Sequence, residues 1–348
     1  MHIRSVPEAI EWQATHAEEA GAHCTARVIR AVSAALNTDT ATARRIAGWQ
    51  GLALEDAMPL RITGGLHNLL VTGDDRRLEP VYAGLVTDQA TVDALVCELF
   101  EKWDHRLLPW LDCPPQTNEA GRSASIMAGL LWLSGRLGPN FELNEIGASA
   151  GVNTMMDRYR FDLGGVEAGP TDTPMRIAPE WRGDAPPAGE VAIRSIRGCD
   201  QAPIDLTDPA QAERLKSYVW PEAHVRMGRI DAAIQLAGER APDIAKMDAA
   251  QFVPAMLAQP QAHGVARVLF HSIVWQYIPE AGRAAITHAM EAAGALATRE
   301  QPLAWVMLET NRETFKHELR VRYWPGGEDA VLLAEAHPHG AWVEWYGR

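Results

Sequence analysis

The sequence predicts an α/β protein: a Rossmann-like, mostly parallel sheet with antiparallel C-terminal strands, preceded by an all-helical N-terminal domain. Three observations carry this. Before residue 139 apolar residues recur at helical spacing and no strand pattern is convincing. From Phe141 onward short apolar runs alternate with helical segments, as in parallel βαβ units. The C-terminal segments Leu319–Trp324, Ala330–Ala336 and Ala341–Tyr346 alternate around Pro325–Gly326–Gly327 and His337–Pro338–His339–Gly340, as in an antiparallel meander. The implied division is a helical cap or substrate domain over 1–138 and a Rossmann-like domain over 139–348.

In the helical part, Ser5 and Glu8 form a capping-box pattern with Pro7 in the first turn. The apolar face Ala9, Ile10, Ala14, Ala17, Gly21, Cys24, Val28, Val32, Leu36 reads as one helix ended by Asn37. Further helices are expected near Thr42–Gln50, Leu66–Val71 and Asp88–His105. The breaker Cys113–Pro114–Pro115 precedes a capped apolar helix that ends at Gly138–Pro139. Phe141–Ile146 is then the first strand, Gly147–Gly151 a turn of small residues and Val152–Tyr159 a helix. The Gly/Pro-rich stretch Gly164–Gly189 reads as a loop or insertion. Strands are expected at Val191–Ile196, Ile244–Met247, Val265–Val274 and Leu303–Leu308. Helices open at Asp208–Pro209, Pro221 and Pro279.

The 348 residues carry a net charge of -13, which argues against a general nucleic-acid binder and against docking on an anionic membrane. Hydrophobic residues at 47% and charged residues at 22% are ordinary for a globular protein. Cys24, Cys97, Cys113 and Cys199 are scattered, with no C-x-x-C pair, so neither a zinc site nor a disulfide framework is expected. The N-terminal MHIRSVPEAIEWQ has no apolar signal core, and no apolar run reaches ~18 residues. A cytoplasmic location follows as the expectation.

The chemistry concentrates in NEIGASAGVN, at a strand-to-helix turn. Gly147 and Gly151 let the backbone turn sharply and approach a ligand, and the next helix start offers N–H donors. Glu145, at the strand end, is placed to accept hydrogen bonds from a ligand. The run matches the acid-x-G-x-G-x-G pattern of class I methyltransferases, with Ser149 at the middle glycine. That makes S-adenosylmethionine the expected cofactor, contacted by Glu145, Gly147, Ala148, Ser149, Gly151 and Asn153. The spacing G-x-G-x-x-G of NAD and FAD sites is not met. The same residues spell G-x-S-x-G, the elbow of serine hydrolases, which would make Ser149 a nucleophile with His337 or His339 as partner. A third reading is a ligand-binding protein that keeps the Rossmann pocket without catalysis.

Later strand ends supply further candidates. Asp200, after the second strand, is the expected ribose ligand, with Asp205 nearby; Asp208 reads as a helix cap. Asp248 and Ala249, followed by Phe252, are the expected adenine contacts, the alternative for Asp248 being another cap. In FHSIVWQYIPE, His271 interrupts an apolar run at a strand's carboxyl end, where it would act as a general base or sit in the core. Ser272 would line the same cleft, and Gln276 and Tyr277 would line it or pack the following helix. Thr117, Asn118, Glu119 and Arg122 form a polar cluster expected to face the cleft; Thr117 and Glu119 alternatively read as capping and dipole residues, the reading preferred for Thr117.

PQTNEAGRSA, NEIGASAGVNTMMDRYRFDLGG, RGCDQAPIDLTDP, FHSIVWQYIP and RITGGLHNLLVTG together resemble an uncharacterised bacterial family, domain of unknown function 2332. The resemblance covers nearly the whole chain and implies a Rossmann-type, methyltransferase-like fold. It brings no established activity. Carried over by position, it points to Thr117, Asn118, Glu119, Arg122, Glu145, Gly147, Ser149, Gly151, Asn153, Asp157, Arg158, Asp200, Asp205 and His271. The function expected is S-adenosylmethionine-dependent methylation of a small molecule.

Overall fold

A computed structural model describes residues 5–54 and 56–347. They fall into two compact units, Met1–Thr117 with Asp208–Gly228, and Asn118–Thr207 with Arg229–Arg348. The first unit is helical. It holds α1 (Val6–Glu19), α2 (His23–Ala35), α3 (Ala41–Ala47), α4 (Met58–Val71), α5 (Glu79–Tyr82) and α6 (Gln89–Leu107). The first apolar periodicity, read as one helix, is broken into α1 and α2. Gly21 takes φ +83 there, a left-handed conformation open to glycine, while the apolar face of α2 resumes the pattern. Ile10, Ile29, Ile46, Ile62 and Phe100 fill the core of this unit.

The second unit begins with Asn118 and carries α7 (Ser123–Leu137), so the helix that the sequence reading placed with the N-terminal domain packs on the sheet. Next come β1 (Asn140–Ile146), a 3-10 turn over Asn153–Arg158 in place of the expected helix, and β2 (Arg160–Leu163). The stretch expected as a loop holds β3 (Val166–Ala168), β4 (Arg176–Ile177) and β5 (Glu180–Gly183), followed by β6 (Ala192–Asp200). β2, β3 and β4 form a small sheet of their own. The helix α8 (Pro209–Ser217) belongs to the first unit, and α9 (His224–Glu239) crosses the border at Gly228. The remaining elements are β7 (Ile244–Lys246), α10 (Ala249–Leu257), β8 (Ala266–Ser272), α11 (Glu280–Gly294), β9 (Leu303–Thr310), β10 (His317–Trp324), β11 (Gly327–Ala336) and β12 (Trp342–Trp345).

The main sheet has nine strands in the order β5-β12-β11-β10-β9-β8-β1-β6-β7. β7, β6, β1, β8 and β9 are parallel neighbours, and β10, β11 and β12 close it antiparallel. Counted in chain order, the parallel part runs 3-2-1-4-5, the doubly wound arrangement, whose switch point lies between β1 and β8. Ligands in such sheets sit beyond the carboxyl ends of the strands at that point.

Strand periodicity assigns the faces. Glu145, Phe270 and Val306 are register neighbours, and Val306 faces Gly129 of α7, where an added Cβ would sit 3.4 Å from its Cγ1. Asn144, Leu269 and Trp305 are register neighbours on the other face, where Leu269 and Trp305 pack with Phe252 of α10 and Ile286 and Met290 of α11. Among the described residues, no helix is long and apolar enough to cross a membrane.

Candidate functional site

The turn after β1 is shaped by its glycines and clamped by its neighbours. Gly147 has φ +69, and a Cβ there would lie 2.2 Å from Val274 Cγ2, so only glycine fits. Ser149 also takes a left-handed φ of +52, uncommon for a side-chain-bearing residue. Ala148 N–H donates to Cys199 O at 2.9 Å, Ser149 N–H to Asp200 Oδ2 at 2.8 Å and Val152 N–H to Asn118 Oδ1 at 2.8 Å. Gly198, beside Glu145 in register, leaves room for Ala148, whose Cβ would be 2.7 Å from a Cβ at 198.

Within this frame several buried polar atoms have no hydrogen-bond partner: Glu145 Oε2, Ser149 Oγ and Asn153 Oδ1. Glu145 is 1% exposed, and its other oxygen receives only a long 3.5 Å contact from Asn153 Nδ2. Burial pushes its carboxyl up to about 8, against the pull of Asn153 and Arg122. Buried polar groups are nearly always paired, and leaving one unpaired costs about 1–3 kcal/mol. Three such atoms on and beside one turn at the sheet's switch point are free to bond a polar ligand. The two amide atoms of Asn144 are also unpartnered, but they stand on the opposite face.

The acids expected along the neighbouring strand ends are in place and partly committed. Asp200 ends β6; besides Ser149 N–H it accepts Ala202 N–H at 2.9 Å. Four lone-pair sites on a carboxylate leave it capacity for hydroxyl donors. Asp248 follows β7 and caps α10, whose first residue is Ala249, by accepting Ala250 N–H at 2.8 Å. Its Oδ2 accepts Gln201 Nε2 at 2.7 Å. Asp208 caps α8, and Asp205 accepts the N–H and Oγ1 of Thr207.

The polar cluster before α7 holds loops together. Asn118 clamps Val152, as above. Glu119 Oε1 accepts Gly121 N–H at 3.0 Å and pairs with Arg229 Nη1 at 3.3 Å, both side chains being buried. Arg122 donates from Nε to Pro338 O at 2.8 Å and from Nη1 to Ser272 O at 3.3 Å. Its charge lies close enough to Glu145 to favour the ionised carboxyl. Arg229 was not singled out in the sequence; an Arg in the middle of a helix carries no local signal.

His271 is brought to the carboxyl end of β8, but on the face opposite Glu145, in line with Leu269. It is 1% exposed. Its Nε2 accepts the Trp305 indole N–H at 3.0 Å, which places the proton on Nδ1, donated to Glu309 Oε1 at 2.6 Å. With both nitrogens engaged, His271 has no free lone pair to serve as a base. Ser272 is buried, Gln276 Oε1 accepts Arg312 Nη1 at 3.2 Å, and Tyr277 is 74% exposed. A cavity of about 480 Å³ opens over the ends of β8 and β9, lined by His271, Trp275, Met307 and Glu309 among others. Glu309 escaped the sequence reading because it closes a strand with no flanking motif.

Among the described residues no group of three or more His, Cys, Asp or Glu is arranged to hold a metal ion. No curated protein and no solved structure matches the chain. Residues 7–345 match the family model described as an uncharacterized protein conserved in bacteria, domain of unknown function 2332, and the chain belongs to that family.

Proposed function

We propose that the turn after β1 binds S-adenosylmethionine and that the protein is a methyltransferase acting on a small molecule. The observation that carries this reading is the set of unpartnered buried atoms, Glu145 Oε2, Ser149 Oγ and Asn153 Oδ1, at the switch point of a doubly wound sheet. They fit the amino-acid end of this cofactor: an ammonium supplies donors to Glu145, and a carboxylate accepts from the Ser149 hydroxyl. Asp200 and Asp248, at the next two strand ends, fit the ribose and adenine in turn. When bound, S-adenosylmethionine supplies an electrophilic methyl group on a sulfonium sulfur. The chain's contribution is orientation: Gly147 and Gly151 set the path of the turn, and Asp200 and Asn118 fix it from both sides.

Calorimetric titration with S-adenosylmethionine and S-adenosylhomocysteine tests the reading. Saturable micromolar binding is expected, lost in a folded Glu145→Ala variant. No binding of either by the folded protein overturns it. One observation favours a second reading, a serine hydrolase: Ser149 takes the left-handed backbone that a G-x-S-x-G elbow requires. Its Oγ has no hydrogen-bond partner, however, so no nucleophile–base pair is formed. Covalent labelling of Ser149 by a fluorophosphonate would favour the hydrolase.

A further inference from the structure

The cavity over β8 and β9 is built around one carboxylate. Ile273 follows β8 with φ +54, a left-handed conformation that costs a β-branched residue about 1–2 kcal/mol. The bend is held by Ile273 N–H on Leu308 O at 2.9 Å. It delivers the next amide, Val274 N–H, to Glu309 Oε1 at 3.0 Å. The same oxygen takes His271 Nδ1–H at 2.6 Å. His271 is itself fixed from three sides: by the Trp305 indole N–H, by Trp275 stacked at 5.1 Å and by the edge contact of Trp305 at 6.0 Å. A strained backbone, a histidine and two tryptophans thus combine to orient Glu309 through Oε1 alone. No hydrogen bond among the described residues reaches its Oε2, and Glu309 lines the cavity.

The surroundings select the ligand. Glu318 and Arg320 neutralise each other at 2.7 Å, and Asn311 Nδ2 takes the other oxygen of Glu318. Arg312, exposed on the same cavity, donates to the neutral Gln276 and makes no ion pair with Glu309, and Glu309, Glu313 and Glu318 outnumber Arg312 and Arg320 in the lining. An anion entering here meets the open oxygen of Glu309, and a neutral donor can bond that oxygen but brings no opposite charge; a cationic donor supplies both. Trp275 and Met307 add an apolar wall, and an aromatic ring beside a carboxylate suits an organic cation. We propose that this cavity is a binding site for a small organic amine, its ammonium on Glu309 Oε2 and its carbon skeleton against Trp275 and Met307. Glu309 is then a binding residue and His271 a positioning residue. The site lies on the face of the sheet opposite Glu145 and does not depend on what the β1 turn binds.

The test uses the whole chain with no other ligand present. Benzylamine is titrated by calorimetry beside its neutral analogue benzyl alcohol and the anion benzoate. Benzylamine is expected to bind saturably, at least tenfold more tightly than either, and to lose at least tenfold in Glu309→Gln. In the unaltered protein carrying carbon-13 methyl-labelled methionine, benzylamine is expected to shift the Met307 methyl resonance, assigned with Met307→Leu. That measurement keeps the test decisive should Glu309→Gln fail to fold. Comparable affinity for benzyl alcohol or benzoate overturns the proposal, as does an unmoved Met307 resonance, undiminished binding in folded Glu309→Gln, or no saturable binding of benzylamine.

Discussion

Replacing Glu145 by Gln keeps the shape of the side chain and removes its ionisation, which isolates the electrostatics of the β1 turn. In the folded protein, burial raises the carboxyl from its ordinary 4.5 to about 8. Between those values the folded state holds a proton that the unfolded chain has released. This contribution to stability is therefore complete below about 4.5, declines as pH rises and is exhausted above about 8. At about 1.4 kcal/mol per tenfold change in proton affinity, the decline over the whole interval is on the order of 5 kcal/mol. The Gln variant has no such dependence. Urea denaturation of both proteins at pH 5, 7 and 9, followed by tryptophan fluorescence, separates this group from all others, because the others are common to both. The variant is expected to gain on the wild type by about 4 kcal/mol from pH 5 to pH 9. Parallel pH profiles would show that Glu145 ionises freely in the folded state and would refute the reasoning.

Binding at the same turn should follow the same proton. If a ligand ammonium meets Glu145, affinity for S-adenosylhomocysteine should rise with pH up to about 8, with proton release detected as a buffer-dependent binding enthalpy. Gly147→Ala combines a left-handed φ with a clash against Val274 and is expected to lose about 2–4 kcal/mol. Gly264→Ala shares the left-handed φ but meets nothing within 4 Å, so it should lose only ~1 kcal/mol; equal melting points for the two would show that the Val274 contact yields. His271→Phe strands the Trp305 indole N–H and removes the bond to Glu309, an expected loss of about 2–4 kcal/mol in urea denaturation. Asp75 is buried in the first unit and bonded by Arg77, Lys102 and Trp103, which hold its carboxyl well below the usual range. Asp75→Asn should therefore cost about 2–3 kcal/mol at neutral pH, a difference that shrinks as pH falls below the ordinary carboxylate range and wild-type Asp75 loses its charge.

The central strands were legible because they are largely buried on both faces and read as apolar runs: β8 is buried throughout, and its limits fall inside the expected 265–274. The meander was legible from its turns. Two features were hidden by residues with weak local preference. Gly21 fits helical spacing as well as any small residue, so only the tertiary packing of α1 against α2 reveals the break. Glu180–Gly183 sits among glycines and prolines, yet it pairs with β12 at the sheet edge, a partner more than 150 residues away. Long-range pairing of this kind leaves no local trace. At the candidate site, Glu145 and the glycines announce themselves because backbone conformation restricts the residue. Glu309 and Arg229 do not, because what distinguishes them is a partner distant in sequence, His271 for one and Glu119 for the other.

Why these polar atoms remain unpaired while the acids that follow β6 and β7 are paired depends on what each group serves. Asp208 and Asp248 each sit at a helix start and satisfy backbone N–H groups that would otherwise be orphans. The β1 turn leads instead into a 3-10 turn, Asn153–Arg158, whose preceding residue offers no side-chain cap. Glu145, Ser149 and Asn153 thus have no helix to serve, and the frame that holds them is made by other groups: Asn118, Asp200 and the carbonyl of Cys199. At about 1–3 kcal/mol per unpaired atom, the three together cost several kcal/mol, a large part of the ~5–15 kcal/mol that keeps a protein folded. A ligand that pairs them recovers that energy on binding, which makes the turn preorganised rather than merely polar. On the other face, His271, stacked on Trp275, and Val274 N–H commit one oxygen of Glu309 and leave the second open. The two proposed sites share a principle, strain and hydrogen bonds used to hold an open acceptor in place, but they present it to opposite sides of the sheet.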